Sequence, residues 1–556
     1  MKKILVGLLF LFTASIHGQG LIERVFLQTD KQLYLAGELI YLKVFTVTPE
    51  KLPLTFSKIV YVELLDESNS RVQIKIELNN GIGESWMELP LDLPTGHYRL
   101  TAYTRYMLNE GASVFFEKNI GVVNTFRPNQ IRKTQIAVSP KEPETPNRPT
   151  CSLQLNKTLY TNRDQGILKL DGLPEHVHTL SVSIAGKTNV IVDGTSDIRQ
   201  WGISPGDRKD TSPRKYLPEY EGHIITGKIV PLQSTPGNTV DKTVIPFLSF
   251  PGEKLYLFEG QTNDLNNVSF FATSMAGIKE VSTTAYNTTE NKYRVDLLSP
   301  FIEQHAKKEL PALNVDSSHL SNLLKRSVAL QALYSYTKDS LVRDRPGNIR
   351  FTMNPSQTYI LDEWTRFVVM GELVIEFISE LRFRRNDQHI RELLMLVLRG
   401  GYFVWERPLV VLDGIPVFDS EIIYRYNPLL VERINIYKDE YVFQGIKFDG
   451  IVEFLTYERN YPTLTTNQST QIINYAGTQA PRHLYSPDYS IEKNRQSRLP
   501  DYRHTLLWEP ALQTKGKSSI EVPFYTSDFS GEFLVTVEGL TKEGKIIFGE
   551  TSFEVR

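Results

Sequence analysis

The sequence predicts a mainly β protein that contains several β-sandwiches and one α/β unit. The chain of 556 residues holds 27 Tyr and 28 Phe, and 30 Pro and 34 Gly interrupt it. This composition is typical of short strands separated by turns. Helical periodicity is confined to two stretches, 319–336 and 362–379. A prior of about 150 residues per domain predicts three to four domains.

The N-terminus is predicted to be an export signal. Lys2 and Lys3 precede an apolar core over 4–12, which is too short to cross a bilayer as a helix. Gly18 suits the position before a cleavage site, so the mature chain is expected to begin at Gln19. A buried N-terminal helix is the alternative interpretation. No later apolar stretch approaches the ~20 residues of a membrane helix, so no membrane span is expected.

Charge and cysteine content exclude several classes of protein. The 62 basic and 64 acidic residues leave a net charge of −2. No nucleic-acid partner is therefore expected, because phosphate binding needs a concentrated positive field. The single cysteine, Cys151, excludes an intramolecular disulfide and a cysteine-rich zinc or iron–sulfur site. No base in the sequence stands ready to form its thiolate, so we interpret Cys151 as a structural cysteine.

An internal repeat divides the β-rich part of the chain. Strand after strand is predicted between Val25 and Val123, and a polar, proline-rich linker follows over 126–150. The segment 28–34, Gln-Thr-Asp-Lys-Gln-Leu-Tyr, then matches 154–160, Gln-Leu-Asn-Lys-Thr-Leu-Tyr, at four of seven positions. A second sandwich of related build is predicted to start there.

The second sandwich is expected to be split. Residues 151–192 supply too few strands to close a sandwich, and residues 501–556 also lack a full set. We therefore expect these two pieces to pair with each other, with the intervening chain as an insertion. A domain tolerates an insertion when its entry and exit points are close together at the surface.

Sequence signatures of catalysis fail on inspection. Gly516-Lys-Ser resembles the end of a phosphate-binding loop, but the position of the required first glycine is Ala511. His176 and His178 suit zinc, yet no third ligand is identifiable, and a turn explains the pair equally well. No catalytic, cofactor-binding or metal-binding residue is assigned. The chain is not expected to be an enzyme, and no cofactor is expected.

Two parts of the chain resemble the alpha-2-macroglobulin family. The pattern Thr-Asp-Lys-x-x-Tyr-x-x-Gly-Glu, from Thr29 to Glu38, is similar to that family's second macroglobulin-type domain. Residues 503–537 resemble the stretch before the family's thioester region. The resemblance implies immunoglobulin-like, macroglobulin-type β-sandwiches in which Gly37 makes a turn and Tyr34 packs at the sandwich edge. The thioester-forming Cys-Gly-Glu-Gln motif is absent, so covalent trapping of proteases is not expected.

The middle of the chain resembles the plug domain of TonB-dependent outer-membrane receptors. Residues 407–417 carry Pro-Leu-Val-x-x-Asp-Gly-x-Pro-Val, and residues 428–454 are similar to the plug's next unit. The resemblance implies an α/β plug-like domain without a barrel of its own. It also implies a tight turn at Asp413 and Gly414 and bends at Gly445 and Gly450, where a Cβ would clash.

Residues 220–271 resemble, more weakly, a carboxypeptidase-regulatory-type sandwich. The combination of these modules is typical of exported proteins of the Bacteroidota. The predicted segments are a signal peptide (1–18), a macroglobulin-type sandwich (19–125), a linker (126–150), the first part of the split sandwich (151–205), the regulatory-like sandwich (214–300), a helical connector (301–354), the plug-like domain (355–460) and the C-terminal part of the split sandwich (461–556).

These resemblances predict a non-catalytic, exported interaction or scaffold protein at the outer-membrane periphery, in the periplasm or on the cell surface. The expected partner is an outer-membrane β-barrel protein or an associated lipoprotein, and the oligomeric state is left open. A macroglobulin-like protease inhibitor without a thioester and a carbohydrate-binding protein are the alternatives.

The partner surface is predicted on the plug-like domain. A plug without a barrel exposes a surface shaped for burial. The runs Phe403-Val-Trp-Glu and Ile422-Ile-Tyr-Arg-Tyr are apolar enough to leave a sizeable patch, and such patches commonly mark interfaces. The predicted partner-binding residues are Phe418, Ile422, Ile423, Tyr424 and Tyr426. Alternatively, the flanking sandwiches cover this surface.

Overall fold

The computed structural model describes residues 22–556 with gaps. The gaps are 128–148, 189, 191, 195–196, 203–214, 233–243, 253–255, 264, 274, 287–292, 314, 316–322, 325, 328–353, 366, 444–445 and 462–468. The predicted signal peptide, most of the predicted linker, Gly445 and most of the helix expected at 319–336 lie outside the described residues.

The first sandwich consists of one antiparallel and one mixed sheet, which enclose one apolar core. A three-stranded sheet has the order β1-β3-β6, and a five-stranded sheet has the order β2-β8-β7-β4-β5. The strands are β1 Arg24–Thr29, β2 Leu33–Leu35, β3 Leu39–Val47, β4 Ile59–Asp66, β5 Asn69–Glu77, β6 Ile82–Glu88, β7 Gly96–Tyr103 and β8 Phe116–Val123. Between β1 and β2 the chain passes from the three-stranded sheet to the five-stranded sheet. Strand β2 pairs in parallel with β8. Two 3-10 helices, Tyr106–Asn109 and Ala112–Val114, precede β8.

The second sandwich is assembled from two distant pieces of the chain. Its sheets have the orders β10-β34-β33-β12-β31 and β32-β11-β9. The strands are β9 Ser152–Leu155, β10 Leu159–Tyr160, β11 Gln165–Asp171, β12 Val177–Gly186, β31 Thr505–Glu509, β32 Ser519–Tyr525, β33 Gly531–Thr541 and β34 Ile546–Val555. Strand β12 lies between β31 and β33, and β11 pairs with β32 along its whole length. Neither piece could close this sandwich without the other.

The third sandwich takes its last strand from beyond residue 461. Its sheets have the orders β16-β17-β13-β19 and β15-β14-β18-β30. The strands are β13 His223–Pro231, β14 Ile245–Phe250, β15 Tyr256–Glu259, β16 Gln261–Thr262, β17 Asn267–Ala272, β18 Glu280–Tyr286, β19 Tyr293–Leu297 and β30 Thr470–Asn474. Because β30 pairs with β18, the expected boundary at 461 is wrong for this strand.

An α/β unit lies between β19 and β30. Its sheets have the orders β20-β26-β29-β24-β25 and β21-β22-β23, and β27 and β28 form a separate hairpin. The strands are β20 Gln357–Ile360, β21 Leu381–Arg385, β22 Arg391–Arg399, β23 Tyr402–Glu406, β24 Leu409–Leu412, β25 Ile415–Pro416, β26 Val431–Tyr437, β27 Tyr441–Phe443, β28 Ile446–Phe448 and β29 Ile451–Thr456. The helices are α1 Met370–Phe377 and α2 Ser420–Tyr424, with 3-10 helices at Leu361–Glu363 and Pro428–Leu430; α3, Glu492–Arg495, lies after β30.

Helix α1 is shorter than the helical stretch expected at 362–379. The 3-10 turn at Leu361–Glu363 ends at Trp364, whose backbone is extended, and the α-helix begins only at Met370. Two aromatic side chains before α1, Trp364 and Phe367, instead lie against Phe377 at the end of the helix. Aromatic packing, rather than a longer helix, thus explains the first part of the periodic pattern.

The insertions are nested, and the inner unit packs on the sandwich that encloses it. One apolar cluster joins Ile245 and Phe247 of the third sandwich to Val411 and Ile451 of the α/β unit. At the turn after β24, a Cβ on Gly414 would lie 2.6 Å from the Phe250 carbonyl oxygen. Gly414 also has a φ of +81°, so both the turn and the close packing require glycine.

Within the described residues, no helix has the length and apolarity needed to cross a membrane.

Candidate interaction surface

Exposed apolar side chains are concentrated on the α/β unit. Of the twenty-five large apolar side chains that are exposed in the described chain, twelve lie between Ile360 and Tyr457. This unit makes up only about a quarter of the described residues. Single exposed apolar residues are normal on soluble proteins, whereas a contiguous group marks an interaction site.

The three-stranded sheet β21-β22-β23 carries such a group on its outer face. Side chains alternate along a strand, and Leu393, Met395 and Val397 of β22 point into the core of the unit. The residues between them therefore face outward. With their neighbours on β23 they form what we call the outer apolar face: Leu394, Leu396, Leu398, Phe403 and Trp405.

Cross-strand pairing makes this face continuous. Leu396 lies opposite Trp405, and Leu398 lies opposite Phe403, at a separation where facing side chains contact one another. Leu398 is 64% exposed and Phe403 is 71% exposed. The hairpin turns at Gly400 and Gly401, both with positive φ, a conformation that glycine adopts without strain.

Charges of both signs border the outer apolar face. The Arg382 guanidinium lies 4.0 Å from the centre of the Trp405 ring. Glu392 lies opposite Arg384 and pairs with Arg407. Strand β23 is an edge of its sheet, so its free backbone groups are available for pairing with another strand. A complementary partner would present apolar side chains or an extended segment.

The five residues predicted from the sequence lie on α2 and immediately before and after it, and two of them are buried. Ile423 is 1% exposed and Tyr426 is 4% exposed, because α2 turns both into the core of the α/β unit. A partner cannot contact them in this structure, so the expectation for these two residues is wrong.

The other three predicted residues are half-buried. Ile422 packs against the same core, and the Tyr424 ring lies 5.2 Å from the Phe383 ring. The Phe418 ring lies against two rings of the third sandwich: its centre is 4.3 Å from that of Tyr286 and 5.7 Å from that of Phe247. The third sandwich therefore covers part of the predicted surface, and a role of these three residues in partner binding stays a prediction.

Outside the α/β unit, the side chains that could act as a nucleophile or a metal ligand have structural roles. Cys151 is buried in the core of the second sandwich, and burial raises the pKa of its thiol to about 11, which disfavours the nucleophilic thiolate. Burial also lowers the pKa of His178. In the described part of the chain, no three His, Cys, Asp or Glu side chains come together as metal ligands.

Asp413 of the plug-like pattern has a structural role. Its carboxylate accepts hydrogen bonds from the Thr456 amide and hydroxyl at 2.7 and 2.6 Å, and from the Tyr461 amide at 3.2 Å. These bonds join the turn after β24 to the end of β29. Asp413 has a φ of +46°, as the tight turn inferred from the sequence requires.

No family model matches the chain, and no curated protein matches it. Similar solved structures include a Salmonella alpha-2-macroglobulin reacted with methylamine, with 11% identity, a TM-score of 0.24, and coverage of 96% of this chain and 39% of that one. An Escherichia coli alpha-2-macroglobulin activated by porcine elastase has 9% identity, a TM-score of 0.25, and coverage of 96% and 44%. The Escherichia coli adhesin FdeC has 8% identity, a TM-score of 0.13, and coverage of 50% and 66%.

The chain spans about two fifths of the length of the macroglobulins that it matches. Its sandwiches are defined by their own strand pairing, independently of these likenesses.

Proposed function

We propose that the chain is a non-catalytic, exported interaction protein of the outer-membrane periphery, built from macroglobulin-type sandwiches and a plug-like α/β domain. It binds an outer-membrane β-barrel protein or an associated lipoprotein through the outer apolar face. The single observation that supports this proposal most strongly is the exposed cross-strand pair Leu398–Phe403 on an edge hairpin. Exposed apolar groups of this kind commonly mark interaction sites, and a few residues that a partner buries near the centre of an interface supply most of the binding energy.

The test is a pair of charge substitutions on the full chain, Leu398→Glu and Phe403→Glu. Both side chains are exposed, so the free energy of unfolding should change by less than about 0.5 kcal/mol. Affinity for the outer-membrane partner should fall at least about tenfold, because a carboxylate would be buried in the interface. Affinity purification of the tagged variants from the outer-membrane fraction, followed by titration with the purified partner, measures the affinity, and urea denaturation measures the unfolding free energy.

Leu265→Glu is the matched control. Leu265 is as exposed as Phe403 but lies on the third sandwich, so this variant should bind normally. Equal binding by all three variants would contradict the proposed surface. Loss of binding only with Ile423→Glu, accompanied by loss of stability, would show that the fold of the unit matters and the outer apolar face does not.

A further inference from the structure

A cavity of about 280 Å³ lies where the first and third sandwiches meet. Three segments line it: the end of β5, the chain after β19 over 297–301, and the chain at and after β30 over 473–479. The third segment is fixed to the first sandwich at several points. The Gln479 amide donates to the Lys75 carbonyl oxygen at 3.1 Å, and the Trp86 indole donates to the Ala480 carbonyl oxygen at 3.2 Å.

A buried lysine contributes the most polar group of this cavity. Lys75 is only 3% exposed, and its Nζ donates one hydrogen bond to the Ala476 carbonyl oxygen at 2.6 Å. The same Nζ lies 3.8 Å from the centre of the Tyr475 ring and 5.9 Å from that of Phe301. All three neighbours line the cavity, so the amine lies at its wall.

The Lys75 ammonium is incompletely satisfied by the described residues. An ammonium has three N–H donors, and one hydrogen bond accounts for one of them. None of the ion pairs in the described chain includes Lys75, and Glu219, the acid that acts on it most strongly, lies beyond ion-pair distance. Burial without a paired anion is costly, and it lowers the pKa of Lys75 to about 7.

The remaining walls combine aromatic and amide groups. The aromatic residues Phe301 and Tyr475 line the cavity together with the polar residues Gln73, Asn474 and Gln479. A small cavity with apolar walls and a few convergent polar groups is the usual form of a small-molecule site. Its volume lies just below the range of about 300–1,000 Å³ that holds drug-sized compounds, which limits the occupant to a smaller molecule.

We propose that this cavity binds a small carboxylic acid with an aromatic or aliphatic body, whose carboxylate pairs with the Lys75 ammonium. The carboxylate supplies the missing acceptor for the free N–H groups. The apolar body lies between the Phe301 and Tyr475 rings. This site is independent of the outer apolar face, which belongs to the α/β unit.

The proposal implies that binding takes up a proton above neutral pH. A paired carboxylate favours the charged form of Lys75, so affinity for the acid should fall about tenfold per pH unit between pH 8 and 9. The other titratable groups nearby are Glu219 and His223 of the third sandwich, Tyr475, and Tyr61 of the first sandwich. Burial lowers the pKa of His223 below 6.5 and raises those of Tyr61 and Tyr475 above 10, so these three titrate outside this window.

Calorimetric titration of the full chain with 3-phenylpropionate and with neutral 3-phenylpropanamide tests the proposal. The acid should bind and the amide should bind at least tenfold more weakly, although the two have the same shape. Lys75→Met should reduce affinity for the acid at least tenfold, whereas Lys279→Met should not. Lys279 is an exposed lysine whose carbonyl oxygen accepts from the Tyr475 amide, which makes it a matched control.

Phe301→Ala provides a second variant if Lys75→Met fails to fold. It removes one apolar wall but keeps the ammonium, so affinity for the acid should fall several-fold while the preference for acid over amide persists. N-acetylphenylalanine and a pentapeptide ending in phenylalanine distinguish a free acid from a peptide C-terminus. Equal affinity for acid and amide, or no binding of any of these carboxylates at millimolar concentration, would overturn the proposal.

Discussion

The two copies of the internal repeat fold in the same way but occupy different environments. In the first copy, the Tyr34 hydroxyl donates to Asp30, whose carboxylate also accepts from the Tyr41 amide. In the second copy, the Tyr160 hydroxyl donates to Asn156, whose side-chain oxygen also accepts from the Ile167 amide. The spacing is the same, so each copy closes the same loop with the same bonds. In both copies the short strand that contains the tyrosine pairs in parallel with a later strand: β2 with β8, and β10 with β34.

The copies differ in charge and in what covers them. Asp30 is buried and accepts a further hydrogen bond from Thr505 of the second sandwich at 2.8 Å. Lys31 pairs with Glu38 at 2.5 Å, and Arg326 pairs with the same carboxylate at 2.9 Å. In the second copy, Asn156 is neutral and exposed.

This difference distinguishes the geometry of the loop, which the local motif specifies, from the compensating charges, which only a buried copy requires. The tyrosine and its acceptor form the loop in either environment. The buried copy needs a network of compensating charges as well, because an unpaired charge inside a protein is costly. The exposed copy forms the loop with a neutral amide.

The largest contrast should come from removing the acceptor in each copy. Asp30→Ala leaves the Tyr41 amide and the Thr505 hydroxyl without this acceptor and weakens the balance of charge around Lys31. The Tyr34 hydroxyl keeps only the Lys31 carbonyl oxygen, at 2.9 Å. The substitution should cost about 3–5 kcal/mol of unfolding free energy. Asn156→Ala, in an exposed position, should cost about 1 kcal/mol. Urea denaturation gives the totals, and peptide-level hydrogen exchange in β3 and β11 assigns them to each sandwich.

Equal losses in the two variants would mean that the interface with the second sandwich contributes nothing to the cost. The loss of unfolding free energy in both variants would then come from the shared loop alone.

The two copies also differ at a second lysine, which lies twelve residues after Lys31 in the first copy and twelve residues after Lys157 in the second. Lys43, on β3, is fully buried, and in the described chain its Nζ has no hydrogen-bond partner. Its equivalent on β11, Lys169, is partly exposed and pairs with Asp171 at 2.9 Å. Burial lowers the pKa of Lys43 from its usual 10.5 to about 7, with Glu538, Glu84 and Glu509 opposing the shift.

The pH dependence of stability should therefore differ between the two lysines. Between pH 7 and 10 the unfolded chain keeps the proton that folded Lys43 has lost, so stability rises with pH. Relative to Lys43→Met, the wild-type chain should gain up to about 1.4 kcal/mol per pH unit in this window. Burial also raises the pKa of Glu538 to about 7, a rise that Lys43 opposes. Lys43→Met should therefore raise the Glu538 pKa further, and a carboxyl with a raised pKa in the folded state loses stability as pH rises, so this effect enlarges the difference in the same direction.

Urea midpoints at pH 7, 8 and 9 for the wild-type chain and Lys43→Met measure this difference. Lys169→Met is the control and should give a curve parallel to that of the wild type. A pH-independent difference between the wild-type chain and Lys43→Met would show that Lys43 stays charged in the folded state.

Sequence reasoning identified the repeat but not the burial of either copy. Four shared residues were enough to predict two related sandwiches. The residues that make the first copy charged and buried, Thr505 and Arg326, lie more than 280 positions away along the chain. No local pattern carries that information.

The sequence indicated the part of the outer apolar face on β23, through the apolar run 403–406, but the part on β22 was missed for a different reason. Period-two alternation identifies an outward face only when outward residues are polar. Strand β22 reads Leu-Leu-Met-Leu-Val-Leu over 393–398, so its inward and outward positions look alike. The helix at 420–424 was missed as well, because five residues are too few to show a helical period. The single helical turn of α2 places the Ile423 side chain in the core of the α/β unit.

A smaller contrast should come from the tyrosine hydroxyls. Tyr34→Phe removes a buried donor from Asp30, and the Lys31 amide loses its acceptor at 3.2 Å. It should cost about 1–3 kcal/mol, because the partners it leaves unsatisfied are buried. Tyr160→Phe makes the same change beside Asn156, which water can solvate, and should cost about 1 kcal/mol or less. Comparable losses in thermal and urea denaturation would argue against burial as the source of the difference.

The smallest effect should come from giving the second copy the charge of the first. In Asn156→Asp, the carboxylate oxygen can accept from the Tyr160 hydroxyl and the Ile167 amide as the amide oxygen does. The new charge is exposed and lies beside Lys157, which already pairs with Asp164 at 2.7 Å. Exposed charges interact weakly in water, so the unfolding free energy should change by less than about 0.5 kcal/mol, and this change should shrink further in high salt.

The reverse change, Asp30→Asn, sharpens the comparison because it keeps the shape of the side chain. The neutral amide can still accept from the Tyr34 hydroxyl, but its NH2 group faces the Thr505 hydroxyl and the Lys31 ammonium in place of a carboxylate oxygen. The loss should therefore exceed that of Asn156→Asp severalfold and should be insensitive to salt, since buried pairs are poorly screened. Urea midpoints at low and high ionic strength for the two variants measure this. Similar, salt-dependent losses would mean that the first copy is as open to water as the second, and that the charge difference between them has no energetic consequence.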